Sequence, residues 1–311
     1  MATHALTENF RSFFGQLNPS TTTEQTAAAE YAAVKSLIED PNGAAAALAP
    51  VCFLQGSYRQ QTAIHTLHDI DIVALCELWQ PGATGVGAGP TWDRHRIFDT
   101  IAAPLLADDR YADKVSYNQT SMCIKLDSEM RLEVLPVVYK SGNNDFAVEP
   151  FRLYRPENQQ WEDGFARYHQ QWLSWKNNAD KTGGHFIPMI KVLKHLRAQH
   201  NIDSVSFHIE CVLFALPDAT FLGGPADYIT NVLNAIAGHS AEAWWGTVIR
   251  TPCKDRDIFS TAEWSYDRWV EFHQFVTTCA AVATLAINEH AQAVAIGYWQ
   301  YLLGADFFPH L

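Results

Sequence analysis

A chain of 311 residues with 48% hydrophobic and 12% aromatic side chains can bury the cores of two lobes and is not a disordered polymer. Lys and Arg number 22 against 34 Asp and Glu, a net charge of −12, which argues against gripping long nucleic acid through its phosphates but permits a nucleotide held by a few lysines and a metal ion. Six scattered cysteines with no CxxC pair, and thirteen histidines with no HxxxH or HExxH spacing, argue against structural zinc and a disulfide scaffold.

The N-terminus has no basic stretch followed by an apolar one, so no secretory signal is expected. The most apolar segment, Phe275 to Ile287, falls short of the roughly 20 residues of a membrane span. A soluble, cytoplasmic protein of a reducing compartment, without membrane contact, is the expectation.

The first forty residues read as helix, with a capping-box spacing from Thr21 to Glu24 and a stop at Asp40-Pro41-Asn42-Gly43. Residues 44–49 are alanine-rich and ambiguous. Val51 to Leu54 reads as a buried strand that ends at Gly56-Ser57. A second strand covers Asp69 to Leu78, and the glycine-rich residues 81–90 read as a surface loop, since their spacing does not fit GxGxxG. A helix follows over Trp92 to Ala107, then strands over Ser121–Leu126 and Arg131–Val138 joined as a hairpin by residues 127–130. From Trp161 onward helices dominate: Trp161–Trp175, Phe186–Gln199, Ser206–Ala215, Ala226–Ala237 and Tyr266–His290. The organisation expected is a mixed α/β half over residues 1–160 and a helical half over 161–311.

Chemistry concentrates in the first half. Side chains alternate along a strand, so Asp69 and Asp71 share one face while Ile70 and Ile72 are buried behind them. Two carboxylates held so close repel unless a cation joins them, and Mg²⁺ suits carboxylates combined with phosphates. Glu133, on a later strand, supplies a third carboxylate, which would allow two metal ions to flank a displacement at phosphorus. Gly56 permits a close backbone approach to a phosphate, and Ser57 adds a hydroxyl and an amide. A lone DxD is most often a solvated strand end. The order strand, Gly-Ser, a dozen residues, strand-borne Asp-x-Asp and a later strand acid is far more specific.

That order resembles the nucleotidyltransferase superfamily signature. The strings GSYRQQTAI and HDIDIV are similar to those of the cGAS/DncV-like nucleotidyltransferases (CD-NTases), with Thr62 and Ile64 on matching positions. Glu133-Val134-Leu135-Pro136 matches the family's third-acid context, with Glu where Asp is usual. FIPMIKVLKHLRAQH resembles its spine helix, which implies that Lys194, or Lys191 one turn earlier, reaches the donor triphosphate. SVSFHIECVLFAL resembles its serine–aromatic–x–x–Glu segment, with Ser206 toward the nucleotide and Glu210 on the acid. Around Thr251 to Asp255 the Asp-Pro segment bordering the family's base pocket has no clear counterpart, which weakens a base-reading role for Asp255 or Asp257.

The resemblance implies an α+β fold: a polymerase-β-like palm with an N-terminal helix over residues 1–160, and a helical second lobe over 161–311 closing a nucleotide cleft. It further implies two Mg²⁺ (or Mn²⁺) ions on Asp69, Asp71 and Glu133, and nucleotide contacts from Gly56, Ser57, Thr62, Lys191, Lys194 and Ser206. The implied substrates are nucleoside triphosphates (ATP, GTP or pyrimidine nucleotides). The implied product is a cyclic di- or trinucleotide that activates a separate effector in bacterial anti-phage signalling (CBASS). The alternatives are transfer of a nucleotide to a protein, RNA end or small molecule, and an inactive nucleotide-binding protein of the same fold.

Overall fold

The computed structural model describes residues 6–67, 69–76, 93–139, 150–259 and 264–309. They form two compact units: a sheet unit of Ser20–Gln60 and Leu67–Arg167, and a helical unit of Met1–Pro19, Gln61–Thr66 and Tyr168–Leu311. The chain therefore passes into the helical unit for six residues between two stretches of the sheet unit.

Helix α1 (Thr7–Leu17) and helix α2 (Thr21–Ile38) replace the single helix expected over the first forty residues. Pro19 is the reason: the residue before a proline is pushed out of the helical region, and Asn18 is extended at ψ 150°. The cap of α2 is Ser20, whose hydroxyl accepts from the Thr23 amide, one residue before the expected Thr21.

In the sheet unit come β1 (Pro50–Gln55), the one-turn helix α3 (Gly56–Arg59), β2 (Asp69–Cys76) and α4 (Arg94–Leu106). They are followed by β3 (Val115–Ser116), β4 (Ile124–Asp127), β5 (Arg131–Tyr139), β6 (Phe151–Arg155) and β7 (Gln160–Gly164). The sheet runs β1-β2-β5-β4-β3, with β6 pairing the far end of β5 and β7 pairing β6. The β2–β5 pair is parallel, and its neighbours are antiparallel. The expected loop 81–90, Leu78 and Trp92 lie outside the described residues.

The β6–β7 hairpin is a correction, because residues 161–164 were expected as helix. Two features mark it. Gln159 turns at φ +56°, and Gly164 sits where a Cβ would come within 2.5 Å of the Phe151 ring on the paired strand. The helix begins only afterwards, as α5 (Ala166–Lys176).

Even-numbered residues of β2 are buried; helix α2 contacts β1 and β2, helix α4 contacts β3 and β5, and Val34, Ile38, Ile97, Phe98 and Ile101 of these helices are buried. The odd face changes character along its length. Its far end is apolar, with Val73, Leu75 and Val137 packed beneath Phe151 and Phe53, and its near end is acidic.

The helical unit continues with α6 (Ala179–Thr182), α7 (Phe186–Gln199), α8 (Ser206–Ala215), α9 (Pro225–Ala237), α10 (Ala241–Trp245), α11 (Tyr266–Asn288) and α12 (Gln292–Leu303). Its core is aromatic: Phe10, Phe13, Phe186, Trp264, Trp269 and Trp299 are fully buried. Helix α12 was not expected from the sequence. At 23 residues, α11 is longer than its apolar stretch suggested, and by length and composition alone it could cross a membrane. Its first two turns carry Asp267, Arg268 and Glu271, and it packs against α9 and α12.

Candidate active site

Strands β2 and β5 bring the acidic residues together because they are parallel and in matched register. Asp69 lies opposite Arg131, and Asp71 lies opposite Glu133, on strands about 4.8 Å apart. Along β5 the burial alternates as the sequence implies: Leu132 and Val134 are buried, while Arg131, Glu133 and Leu135 share the open face with Asp69 and Asp71. The apolar residues between the acids anchor both strands, so the carboxylates stand on rigid backbone.

Two neighbours of Glu133 carried no signal in the sequence. Lys125, opposite it on β4, places Nζ 3.7 Å from Glu133 Oε1. The Cys123 thiol hydrogen-bonds to Glu133. Burial first, then the Glu133 carboxylate and more weakly that of Asp71, raise that thiol to about 12 against the opposing charge of Lys125. Cys123, Glu133 and Asp71 therefore form one electrostatic group. Only a tertiary register could reveal this, since Cys123 is ten residues from Glu133 and outside any metal-ligand spacing.

Gly56 makes the second part of the site. It leaves β1 at φ +67°, a left-handed conformation favoured by glycine, and a Cβ there would collide with Asp71 Oδ2. The Asp71 carboxylate thus lies directly over the Gly-Ser turn. A phosphate entering that turn would meet a like charge unless a divalent cation lay between them. Three hard oxygen-donor side chains on one face beside such a turn fit Mg²⁺ or Mn²⁺. The side chains are not gathered into a finished cage: among the described residues no three acidic, His or Cys side chains close on one point.

The other expected nucleotide contacts belong to the helical unit, and they separate into two groups. Ser206, the first residue of α8, is partly exposed, as is Lys191, whose Nζ donates to Asn18 Oδ1 at 2.7 Å. Lys191 also borders a cavity of about 350 Å³ together with Phe14, His185 and Tyr228. Thr62 and Lys194 are instead turned toward each other and buried, at 0% and 3% exposure. Lys194 Nζ donates to Thr62 Oγ1 at 2.8 Å, to Glu210 Oε1 at 2.9 Å and to the Thr62 carbonyl at 3.3 Å. Lys191 and Lys194, three residues apart on α7, thus have different partners. Asp255 and Asp257 are engaged locally, accepting from the Thr251 hydroxyl and the Phe259 amide.

Glu210 carries an electrostatic consequence of this pairing. Burial by itself would raise its pKa, but Lys194 and the His169 hydrogen bond hold the carboxyl down at about 2. A depressed carboxylate stabilises the fold above its unfolded value of 4.5, and that contribution is lost as pH falls toward 2. Denaturant titrations should therefore show the stability gap between wild type and Glu210→Gln at its widest near neutral pH and narrowing below about pH 4. A gap independent of pH would contradict the ionised state of Glu210.

Residues 5–177 match the family described as the Second Messenger Oligonucleotide or Dinucleotide Synthetase domain. The chain is 24% identical over 206 residues to a cyclic UMP-AMP synthase from Rhodothermus marinus, covering 60% of this chain and 69% of that protein. Among solved structures it is similar to the Rhodothermus marinus CdnE c-UMP-AMP synthase with Apcpp and Upnpp, at TM-score 0.65 and 20% identity, over 85% of this chain and 93% of the other. It is also similar to the Vibrio cholerae DncV cyclic AMP-GMP synthase in complex with nonhydrolyzable GTP, at TM-score 0.69 and 11% identity, over 93% and 92% of the two chains.

Proposed function

The chain belongs to the family of Second Messenger Oligonucleotide or Dinucleotide Synthetase domains, and from that premise we propose that it makes a cyclic di- or trinucleotide from nucleoside triphosphates, as a cytoplasmic signal in bacterial anti-phage defence. The observation that carries this reading is the register of β2 on β5. It sets Glu133 beside Asp71, with the Gly56 turn against the Asp71 carboxylate.

Asp69, Asp71 and Glu133 would hold the divalent ions. When bound, such ions lower the pKa of an attacking ribose hydroxyl and neutralise the charge of departing pyrophosphate. Gly56 leaves room for the Asp71 carboxylate and a phosphate in one turn, and Ser57 offers that phosphate its hydroxyl and amide. Lys125 and the Cys123 thiol keep Glu133 on the open face. Ser206 and Lys191 are assigned to the nucleotide on the helical unit. Thr62 and Lys194, expected at the nucleotide, enter as groups acting from behind it, because both are buried and occupied by each other. A cyclic product needs at least two such transfers, the last within one molecule, and its effector is a separate protein.

Glu133 tests the third ligand. Glu133→Gln keeps the size and removes the charge, so turnover should fall by about a hundredfold or more while the melting temperature is held. Glu133→Asp should retain part of the activity, since a carboxylate remains on the same face. Equal turnover in wild type and Glu133→Gln would remove Glu133 from the site. EDTA should stop the reaction, and added Mg²⁺ or Mn²⁺ should restore it.

Incubation with radiolabelled triphosphates tests the reading as a whole. A small labelled product that resists phosphatase is expected. Label transferred to a protein, an RNA end or another small acceptor would replace the cyclic product with the alternative chemistry.

A further inference from the structure

The six residues between the phosphate turn and the aspartate strand are held more firmly than a connecting loop requires. Thr62, Ala63 and Ile64 are buried, and the His65 amide donates to the Leu17 carbonyl at 2.8 Å. Gln61, at the entry to the segment, has φ +60°, a strained value for a residue with a side chain. Strain of that kind persists only where the surroundings impose it.

At the centre of this segment the Thr62 hydroxyl accepts from Lys194 and donates to Glu210 Oε1 at 3.0 Å. His169 donates from Nε2 to the other Glu210 oxygen at 3.1 Å, and its ring packs on Phe207 with centroids 5.0 Å apart. Four segments thus converge on one carboxylate: residues 61–66, α5, α7 and α8. All four residues are at most 5% exposed.

We propose that Thr62, Lys194, Glu210 and His169 form a buried positioning unit, which fixes the segment joining the Gly56-Ser57 turn to the Asp69–Asp71 strand and through it the phosphate turn. The inference rests on the reading of Gly56-Ser57 as the phosphate turn. Lys194 on this account is a positioning residue and does not touch the triphosphate. Its three donors already have three acceptors, all within this unit. A buried ion pair adds little stability compared with an apolar pair of the same shape, so a stabilising role alone explains it poorly. Directionality is what it provides: Thr62 is the one residue here whose hydroxyl serves both charges at once, which sets the rotamer and the register of its backbone. Breaking one partner leaves the other charge buried and unpaired and releases the segment.

The test uses the full-length protein, with calorimetric affinity for a nonhydrolysable nucleoside triphosphate and hydrogen exchange of the amides of residues 61–66. Lys194→Met should weaken the affinity by about thirtyfold and speed exchange across the segment. The apolar triple variant Thr62→Val, Lys194→Met, Glu210→Leu should restore exchange protection and bring the affinity back to within about threefold of wild type. Restored protection with affinity still as low as in Lys194→Met would show a direct phosphate contact and overturn the proposal. Should the triple variant not fold, Thr62 decides alone: Thr62→Ser should match wild type in both readouts and Thr62→Val should lose in both, and equal behaviour of the two would overturn it. Neither readout depends on which product is made. Triphosphate affinity with no cyclic product defeats the functional reading and leaves this one standing, and an exchange rate unchanged in Lys194→Met defeats this one alone.

Discussion

Alanine at both Asp69 and Asp71 should abolish product formation, by at least about a thousandfold, in a protein that still folds. The physical case rests on which atoms the change removes. Both side chains stand on the open face of β2, and Ile70 and Ile72, which hold the strand in the sheet, are untouched. The parallel pairing with β5 is made by backbone groups and survives. Removing two like charges beside Glu133 also relieves repulsion, so the melting temperature should stay level or rise. Circular dichroism, a thermal melt and initial rates check this together. Wild-type turnover in the double variant would remove the acidic face from the chemistry, and a collapsed melt would show a structural role.

The second large effect is at Gly56. A methyl group there would stand far inside contact distance of Asp71 Oδ2, and the backbone at φ +67° is strained for any L side chain. Gly56→Ala must therefore displace the Asp71 carboxylate, the turn, or both. The expected cost is about 1–3 kcal/mol of stability and about a hundredfold in turnover, the latter because a ligand moved by an ångström no longer holds its ion. Gly15→Ala is the matched control. It lies in α1 with nothing within 4 Å of the new methyl, so it should stabilise the helix by about 0.5–1 kcal/mol and leave turnover unchanged. Similar losses in both variants would contradict the crowding argument.

Much of the palm was legible because its signals are local. The apolar runs around Val51–Leu54, Asp69–Cys76 and Arg131–Tyr139 are β-branched and bounded by turn residues, and the three acids declare their face through strand alternation. The β6–β7 hairpin was not legible, because Gln160-Trp161-Glu162-Asp163 has little alternation and owes its strand state to pairing with Phe151–Arg155. The nature of Lys194 was also hidden. A lysine on an amphipathic helix reads as a surface charge, and only the meeting of α7 with α8 and residues 61–66 shows that its partners are internal. Cys123 and Lys125 join the site through the β4–β5 register, which sequence spacing does not encode.

The most direct measurement is mass spectrometry of the product formed from all four nucleoside triphosphates with Mg²⁺, run in parallel on wild type and on the Asp69→Ala, Asp71→Ala variant. The account predicts a phosphatase-resistant species in the wild type whose mass is the sum of two or three nucleoside monophosphates less one water for each linkage, and its absence from the variant. A linear product that keeps a 5′-triphosphate, label carried only on a macromolecule, or the same cyclic species from both proteins would contradict it.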